Sequence, residues 1–190
     1  MKLRAKIILT AASLALSCAL LAGCGSSSGS TASSAASSEP ASTVLSQASS
    51  IPLGEDNSTD ALNAPFQTLL NATPISNQFE IAAMNIEYDF GLQAEDVVSY
   101  KGVKSNDNGD AGMVLVVEAA DGKAEGVANQ LTAYQQDQVA FYGNYAEFAQ
   151  AQENVENAVI AFKDNTVVMV IASNECTADL DSAVDSALAD

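Results

Sequence analysis

The feature that most constrains the fold is an uncharged run of 16 residues, 7–22, which follows the basic residues Lys2, Arg4 and Lys6. A permanent transmembrane helix needs about 20 apolar residues. A shorter apolar run behind basic residues, ending in small side chains, is typical of a secretory signal peptide. We therefore expect residues 1–23 to be removed after export, and the alternative is an uncleaved helical anchor.

The end of this run carries a second signal, formed by Leu21, Ala22, Gly23 and Cys24. The small residues at 22 and 23 allow the peptide to enter a peptidase site in an extended form. These four residues resemble the lipobox of bacterial lipoproteins. The resemblance implies a diacylglyceryl group on the Cys24 thiol and a location at the cell membrane, on its extracytoplasmic face. Two acyl chains, at about 0.8 kcal/mol per buried methylene, make a stable anchor.

Residues 24–58 are predicted to be the lipidated cysteine and a disordered tether. Ser, Ala and Thr dominate this segment, and its charged residues are Glu39, Glu55 and Asp56. Such a composition buries too little apolar surface to offset the entropy of ordering the chain. A flexible chain of this length spans roughly 30–35 Å. In the alternative, the tether docks on the domain through its few apolar residues: Val44, Leu45, Ile51 and Leu53.

The predicted mature chain is strongly acidic and lacks three residue types. Loss of the three N-terminal basic residues leaves four lysines against 24 acidic residues, a formal net charge of −20, and no Arg, His or Trp. Nucleic acids and anionic lipid headgroups bind through Lys and Arg, so we expect neither as a direct partner. Activation of a nucleophile by His, imidazole ligation of a metal and bidentate clamping of phosphate by Arg are excluded. We expect no cofactor.

Residues 59–190 are predicted to form a single domain that contains two β-hairpins. Val97–Lys104 and Met113–Val117 flank a loop rich in turn-forming residues. Residues 158–163 and 166–173 flank Asp164-Asn165, a two-residue loop that tolerates positive φ. Helical spacing of apolar residues predicts four helices: residues 63–72, residues 127–142 ending at Gly143, a short one in 145–155, and residues 180–188 capped by Asn174 or Thr177. Residues 77–92 fit neither the helical nor the strand period.

These elements predict an α+β fold with two layers, in which a four-stranded antiparallel sheet made of two hairpins carries helices on one face. The run Val167–Ile171 is apolar at every position, which is typical of a central strand.

Several short segments resemble a family of small lipoprotein domains known as domain of unknown function 4358. They are Phe90-Gly91-Leu92, Glu95-Asp96-Val97 with Tyr100, Tyr142 to Tyr145, Asn157-Ala158-Val159 and Val167–Ile171. The resemblance covers roughly residues 60–189. The chain departs from the family pattern at Ala146-Glu147, where a proline is frequent, and at Asp164-Asn165, where a glycine is frequent. The resemblance implies a location and a fold, and it implies no activity.

Acidic residues are the first candidates for a site. The loop Asn106–Asp110 is rich in oxygen ligands that suit Ca²⁺, but Lys104 stands where the calcium-loop template needs an acid. We therefore favour a plain hairpin loop over a weak divalent site. Glu118 and Glu147 are the best pair for a carboxylate-dependent hydrolase, which needs two carboxyls about 5 to 9.5 Å apart in a cleft. We interpret both as carboxylates at the ends of secondary-structure elements.

The remaining candidates are a thiol and a set of tyrosines. Cys176 is interpreted as a half-buried inert thiol, with an intermolecular disulfide and a nucleophile as alternatives. Tyr134 and Tyr142 continue the apolar stripe of a helix, whereas Tyr145 follows its end. Tyr142 and Tyr145 are therefore either packing residues or a contact patch for a partner.

The predicted function is that of a non-catalytic binding or interaction module, anchored to the membrane through its lipid. Its partner is expected to be an extracytoplasmic protein or a component of the cell wall. One alternative is a sensor of a small ligand or divalent cation, and another is a hydrolase of wall glycan.

Overall fold

The computed structural model describes residues 60–189. These residues form five helices and five strands in the order α1 (Asp60–Ala72), β1 (Gln78–Glu80), α2 (Ala83–Tyr88), β2 (Val97–Ser105), β3 (Met113–Ala119), α3 (Ala124–Tyr142), α4 (Ala149–Glu156), β4 (Val159–Lys163), β5 (Thr166–Ile171) and α5 (Leu180–Ala187). Short 3₁₀ turns, Ala94–Asp96 and Ala146–Phe148, precede β2 and α4. The predicted signal peptide, the lipobox with Cys24, and the tether lie outside the described residues. In the part that is described, no helix has the length and apolarity to cross a membrane.

The strands form one antiparallel sheet in the order β1-β2-β3-β5-β4. Both predicted hairpins are confirmed, β2 with β3 and β4 with β5. Lys163 pairs with Thr166 across the second hairpin, and Asp164 has the positive φ, 53°, that its two-residue loop requires. β5 pairs with β3 and β4, so the apolar run is internal in the sheet, as predicted.

The prediction of four strands is wrong because β1 adds a fifth at the edge. β1 pairs with β2, and Phe79 lies opposite Lys104. All three residues of β1 are exposed, so no alternation of buried and exposed positions marks the strand in the sequence. The helix α2 occupies the same ambiguous segment and buries only Ala83 and Ile86.

The prediction of two layers with helices on one face is also wrong. Every residue of β3 from Met113 to Val117 is at most 1% exposed, so both faces of the strand must be covered. Val114 and Val116 pack in a core with α1 and α5, whereas Leu115 packs on the opposite face with α2, α3 and α4. The sheet is therefore the middle layer of three.

Two hydrophobic cores hold the layers together, and each fully buried aliphatic side chain contributes about 1.5–3 kcal/mol. The core under α1 and α5 contains Leu62, Phe66, Leu69, Val114, Val116, Val168, Val170, Val184 and Ala187. The core under the other helices is larger and includes Ile86, Phe90, Leu92, Met113, Leu115, Val117, Val127, Leu131, Val155, Met169 and Ile171.

The start of α5 differs from the expectation that Asn174 or Thr177 would cap it. The N-cap residue is Asp179, whose Oδ1 accepts hydrogen bonds from the backbone N–H of Asp181 at 3.1 Å and of Ser182 at 3.5 Å. The Ser182 hydroxyl also donates to Asp179 Oδ2 at 2.9 Å. These hydrogen bonds, chiefly that of the Ser182 hydroxyl, hold the pKa of Asp179 below its usual value. The chain leaves β5 at Ile171 and reaches the start of α5 only at residue 179, which places both predicted caps outside the helix.

The fully buried residues of the long helix α3 lie in its first half. Its 19 residues span about 28 Å, and its buried residues are Ala124, Val127 and Leu131. The second half packs against α4, where Gln135 Nε2 donates to the backbone carbonyl of Val155 at 2.8 Å. This half carries all three aromatic residues of the helix, and two of them, Phe141 and Tyr142, belong to the site described next.

Candidate functional site

Four aromatic rings form a closed cluster where α3 ends and α4 begins. We call this set, Phe141, Tyr142, Tyr145 and Phe148, the aromatic cluster. Phe141 lies 5.2 Å from Tyr142 and 5.8 Å from Tyr145, measured between ring centroids. Phe148 lies 5.9 Å from Tyr142 and 5.6 Å from Tyr145. All four contacts are tilted or edge-to-face, which are favourable geometries for aromatic pairs.

The backbone between the two helices brings these rings together. Gly143 ends α3, and a Cβ there would lie 3.1 Å from the carbonyl oxygen of Val139. The Asn144 side chain donates to the carbonyl of Ala140 at 2.8 Å and so closes the last turn of the helix. Tyr145 N–H then bonds the carbonyl of Tyr142 at 3.1 Å, and Phe148 N–H bonds that of Tyr145 at 3.0 Å. The cluster is therefore held by local hydrogen bonds.

The cluster has an exposed side and a packed side. Phe141 is 52% exposed and Tyr145 is 45% exposed, whereas Tyr142 and Phe148 are half-buried. Phe148 packs over Gly109, where a Cβ would lie 3.4 Å from its ring. The predicted patch of Tyr142 and Tyr145 is thus brought together, with Tyr142 as a support and Tyr145 at the surface.

A cavity of about 140 Å³ lies beside the cluster, between α3 and the end of the sheet. Tyr134, Gln138 and Tyr142 line it from one side of α3, and Lys104 and Asp110 line it from the ends of β2 and the following loop. Because these five side chains all end in polar groups, the cavity suits a small polar ligand better than an apolar one.

The tyrosines of this cavity remain protonated at neutral pH. Burial is the main cause that raises the pKa of Tyr134, with further contributions from Tyr142 and Asp89. Burial and the negative charge of Asp110 raise the pKa of Tyr142. Tyr134 is also fixed by packing on Phe90, with 4.5 Å between ring centroids. Both hydroxyls can therefore donate a hydrogen bond, and neither is poised to act as a base.

The helices that carry the cluster bear charge of one sign. The 39 residues 124–162, which include α3 and α4, contain no Lys or Arg. Asp137 lies one turn before Phe141 on α3, and Glu147 lies between Tyr145 and Phe148; both are exposed. The exposed rings are therefore bordered by negatively charged side chains, and this favours the approach of a cation.

The carboxylates of the acidic loop 106–110 accept hydrogen bonds from other groups of the domain. Asp110 Oδ1 accepts from the backbone N–H of Gly112 at 3.0 Å and of Asn174 at 3.1 Å. Asp107 Oδ1 accepts from the Asn77 side chain at 2.8 Å. Among residues 60–189, no three Asp, Glu, His or Cys side chains converge to hold a metal ion. The loop ties neighbouring segments together.

Glu118 and Glu147 do not come together as a carboxylate pair. Glu118 lies at the far end of β3, opposite Thr166, and accepts from the Ser99 hydroxyl at 2.6 Å. Glu147 precedes Phe148, which packs on the loop before β3. The strand from Met113 to Glu118 alone spans roughly 17 Å, beyond the separation that glycoside hydrolysis uses.

Cys176 lies in the connection between β5 and α5 and is half-buried. Its thiol is 3.4 Å from the carbonyl oxygen of Ala72 at the end of α1. Three residues separate it from the first residue of α5, so it is not on the helix terminus. This contact is consistent with a thiol that packs against the end of α1.

Sequence reasoning missed Phe141 and Phe148 as members of the site. The spacing of Phe141 fits the apolar stripe of α3, which predicts burial, but Phe141 is exposed, whereas Val139 and Tyr142 beside it pack against the core. Phe148 belongs to a 3₁₀ turn, whose geometry does not follow the helical period. The local density of four aromatic residues in 141–148 was the available signal.

The chain is similar in sequence to a family of protein domains. Neither curated proteins nor solved structures gave a match. A family model described as "Domain of unknown function (DUF4358)" matches residues 71–172, more than half of the 190-residue chain. The matched range contains all five strands, α2, α3, α4 and the whole aromatic cluster. The chain therefore belongs to this family of domains of unknown function.

Proposed function

We propose that this protein is a lipoprotein anchored to the outside of the cell membrane through Cys24, and that its domain is a non-catalytic module which binds another protein. The aromatic cluster is the binding surface. The observation that carries this proposal is the pair of exposed rings, Phe141 and Tyr145, held side by side on two supporting rings. Rigid aromatic side chains of this kind supply large contact areas at a low cost in conformational entropy.

The anchor rests on the sequence of residues 21–24. Cys24→Ser should abolish labelling by a palmitate analogue and release the protein from the membrane fraction, because the thiol that accepts the lipid is gone. Cys176→Ser is the matched control and should leave both unchanged. Membrane retention of the Cys24→Ser protein would contradict the lipid anchor.

The binding surface is tested by replacing both exposed rings. Phe141→Ala with Tyr145→Ala should abolish crosslinking of the protein to its specific partner on intact cells. It should shift the melting temperature by only a few degrees, since both rings are about half exposed. Phe162→Ala is the matched control, because Phe162 is an aromatic residue of 47% exposure on β4, outside the cluster. Equal crosslinking by wild type and double variant would contradict the proposal.

The second candidate is a sensor of a small polar ligand, and the cavity beside Tyr134 and Tyr142 favours it. A volume of about 140 Å³ is below the range of about 300–1,000 Å³ typical of ligand pockets. A ligand there would raise the melting temperature in proportion to the logarithm of its concentration. Gln138→Leu would remove a polar group from the cavity wall and suppress that shift, while leaving the exposed rings in place.

A further inference from the structure

We propose that the aromatic cluster binds a protein segment that presents Lys or Arg side chains. This inference rests on the proposed function, in which the cluster is the surface that contacts a partner. It adds the chemistry of that partner, and it follows from the charges that border the rings.

The chain is acidic as a whole, and acidic residues also lie next to the exposed rings. Both carboxylates beside the exposed rings, Asp137 and Glu147, are exposed, and α3 and α4 carry no lysine. Lys104 of β2, which lines the cavity beside Tyr142, is paired with Asp89. Asp137 and Phe141 are four residues apart on α3, which places them on one side of the helix. A partner must therefore meet an apolar surface and negative charge at the same place. A segment with basic side chains satisfies both requirements, since the stem of Lys or Arg packs on a ring while its head meets a carboxylate.

The domain already uses this chemistry within itself. Lys104 Nζ lies 5.3 Å from the centroid of the Phe79 ring and 3.5 Å from Asp89 Oδ2. One lysine thus contacts an aromatic face and a carboxylate at once. Around Phe141 and Tyr145 the ring and the carboxylate are present, and residues 124–162 supply no cation.

The same charges disfavour other occupants. An anionic membrane surface or an anionic polymer would be repelled by Asp137 and Glu147. A second copy of the chain would bring an identical surface of the same sign, and like charges placed against each other are costly. A basic protein segment is the occupant that the observations favour.

The first test uses the full chain in a non-ionic detergent and a fluorescein-labelled peptide, Gly-Arg-Gly-Arg-Gly-Arg-Gly, followed by fluorescence anisotropy. The peptide with Gln in place of each Arg should bind at least about tenfold more weakly. Phe141→Ala with Tyr145→Ala should weaken the Arg peptide by a similar factor. Equal binding of the two peptides, or no binding of the Arg peptide, would overturn the inference.

A matched pair of charge variants separates a local site from general attraction to an acidic protein. Asp137→Asn with Glu147→Gln should weaken the Arg peptide by roughly fivefold or more. Asp181→Asn with Asp185→Asn removes the same charge from α5, on the other side of the sheet, and should have little effect. Equal losses for both pairs would mean that only net charge attracts the peptide, and the inference would fail.

A second measurement separates this inference from the proposed function. A photoreactive phenylalanine analogue at position 141, with the same analogue at position 162 as control, is crosslinked on intact cells and the linked partner peptides are sequenced. Peptides linked only through position 141 that contain Lys or Arg would support both proposals. Position-specific peptides without Lys or Arg would overturn the inference and leave the binding function standing. Absence of any link specific to position 141 would overturn both.

Discussion

Asp110 gives the sharpest prediction about how the site is held. One carboxylate oxygen, Oδ1, receives the backbone N–H of Gly112 and of Asn174. Asn174 Nδ2 donates in return to the carbonyl of Gly109 at 3.2 Å. The loop before β3 and the connection after β5 are thus joined at the point where Phe148 packs on Gly109.

The cost of Asp110→Ala follows from the burial of the two donors. A hydrogen bond to a charged group contributes about 1.5–3 kcal/mol. Gly112 is buried, so its N–H would lose its acceptor without replacement, whereas Asn174 is exposed and water can take over. We expect the free energy of unfolding to fall by about 2 kcal/mol. For a domain of this size the melting temperature should fall by roughly 5–10 °C.

The assay is urea unfolding monitored by circular dichroism, with melting temperature as the second readout. Asp110→Asn keeps an oxygen at Oδ1 and should lose less than about 1 kcal/mol. Asp107→Ala removes a carboxylate from the same loop at an exposed position and should cost less than about 1 kcal/mol. A free energy of unfolding for Asp110→Ala within about 0.5 kcal/mol of the wild-type value would refute the reasoning. A loss of stability in Asp110→Asn equal to that in Asp110→Ala would refute it as well.

Three further predictions concern the framework around the site. Gly112→Ala should cost about 1–3 kcal/mol in urea unfolding, because the added Cβ would lie 2.7 Å from Ser173 Cβ and 2.8 Å from its Cα. Gly126→Ala should stabilise α3 by up to about 1 kcal/mol, because no atom lies within 4 Å of the added carbon. A more stable Gly112→Ala protein than Gly126→Ala protein would contradict the packing. Thr73→Val should cost about 1–3 kcal/mol and speed exchange of the Ser173 amide, since Thr73 Oγ1 accepts that buried N–H at 2.8 Å. Unchanged exchange would argue against this bond. Asp179→Ala should lower stability at pH 7, because a pKa below the usual 3.8 means that the carboxylate stabilises the fold. That difference is present above pH 3.8 and should vanish as the pH falls through the folded-state pKa; a difference that persists in acid would exclude the ionised cap.

The hairpins could be predicted from the sequence because their turns are local. Asp164-Asn165 carries the residue types that adopt positive φ between two strand-like runs, and such a loop dictates the pairing of its neighbours. The edge strand β1 could not be predicted in this way. Its three exposed residues pair through the backbone alone, so the sequence contains no burial pattern for it.

The third layer was implied by the sequence, although the two-layer prediction did not use it. Val167–Ile171 and Met113–Val117 are apolar at every position. Successive side chains of a strand point to opposite faces, so two such strands side by side require cover on both. The segment Asn63–Ala72 and the C-terminal helix were available to cover the second face, and they do so as α1 and α5.

The site was less predictable than the fold because it depends on contacts between segments that no single period describes. The helical spacing in α3 and the end of the helix at Gly143 pointed to Tyr142 and Tyr145 as candidates, and both belong to the cluster. The place of Phe148 depends on a 3₁₀ turn and on Gly109, which is 39 residues earlier in the chain. Phe141 is exposed although Tyr142 next to it packs against the core, and the spacing of apolar residues in α3 does not distinguish the two.

The two exposed rings of the site, Phe141 and Tyr145, lie outside both hydrophobic cores, which is a property that the proposed binding surface needs. The fully buried residues of α3 end at Leu131, and the aromatic cluster begins ten residues later, at Phe141. Substitutions at Phe141 and Tyr145 therefore leave both hydrophobic cores intact, whereas the rings beneath them keep the surface in shape. A surface that can change without loss of the fold is free to match different partners in different members of one family. We therefore expect substitutions at positions 137, 141, 145 and 147 to change the proposed binding and to leave the sheet and both cores in place.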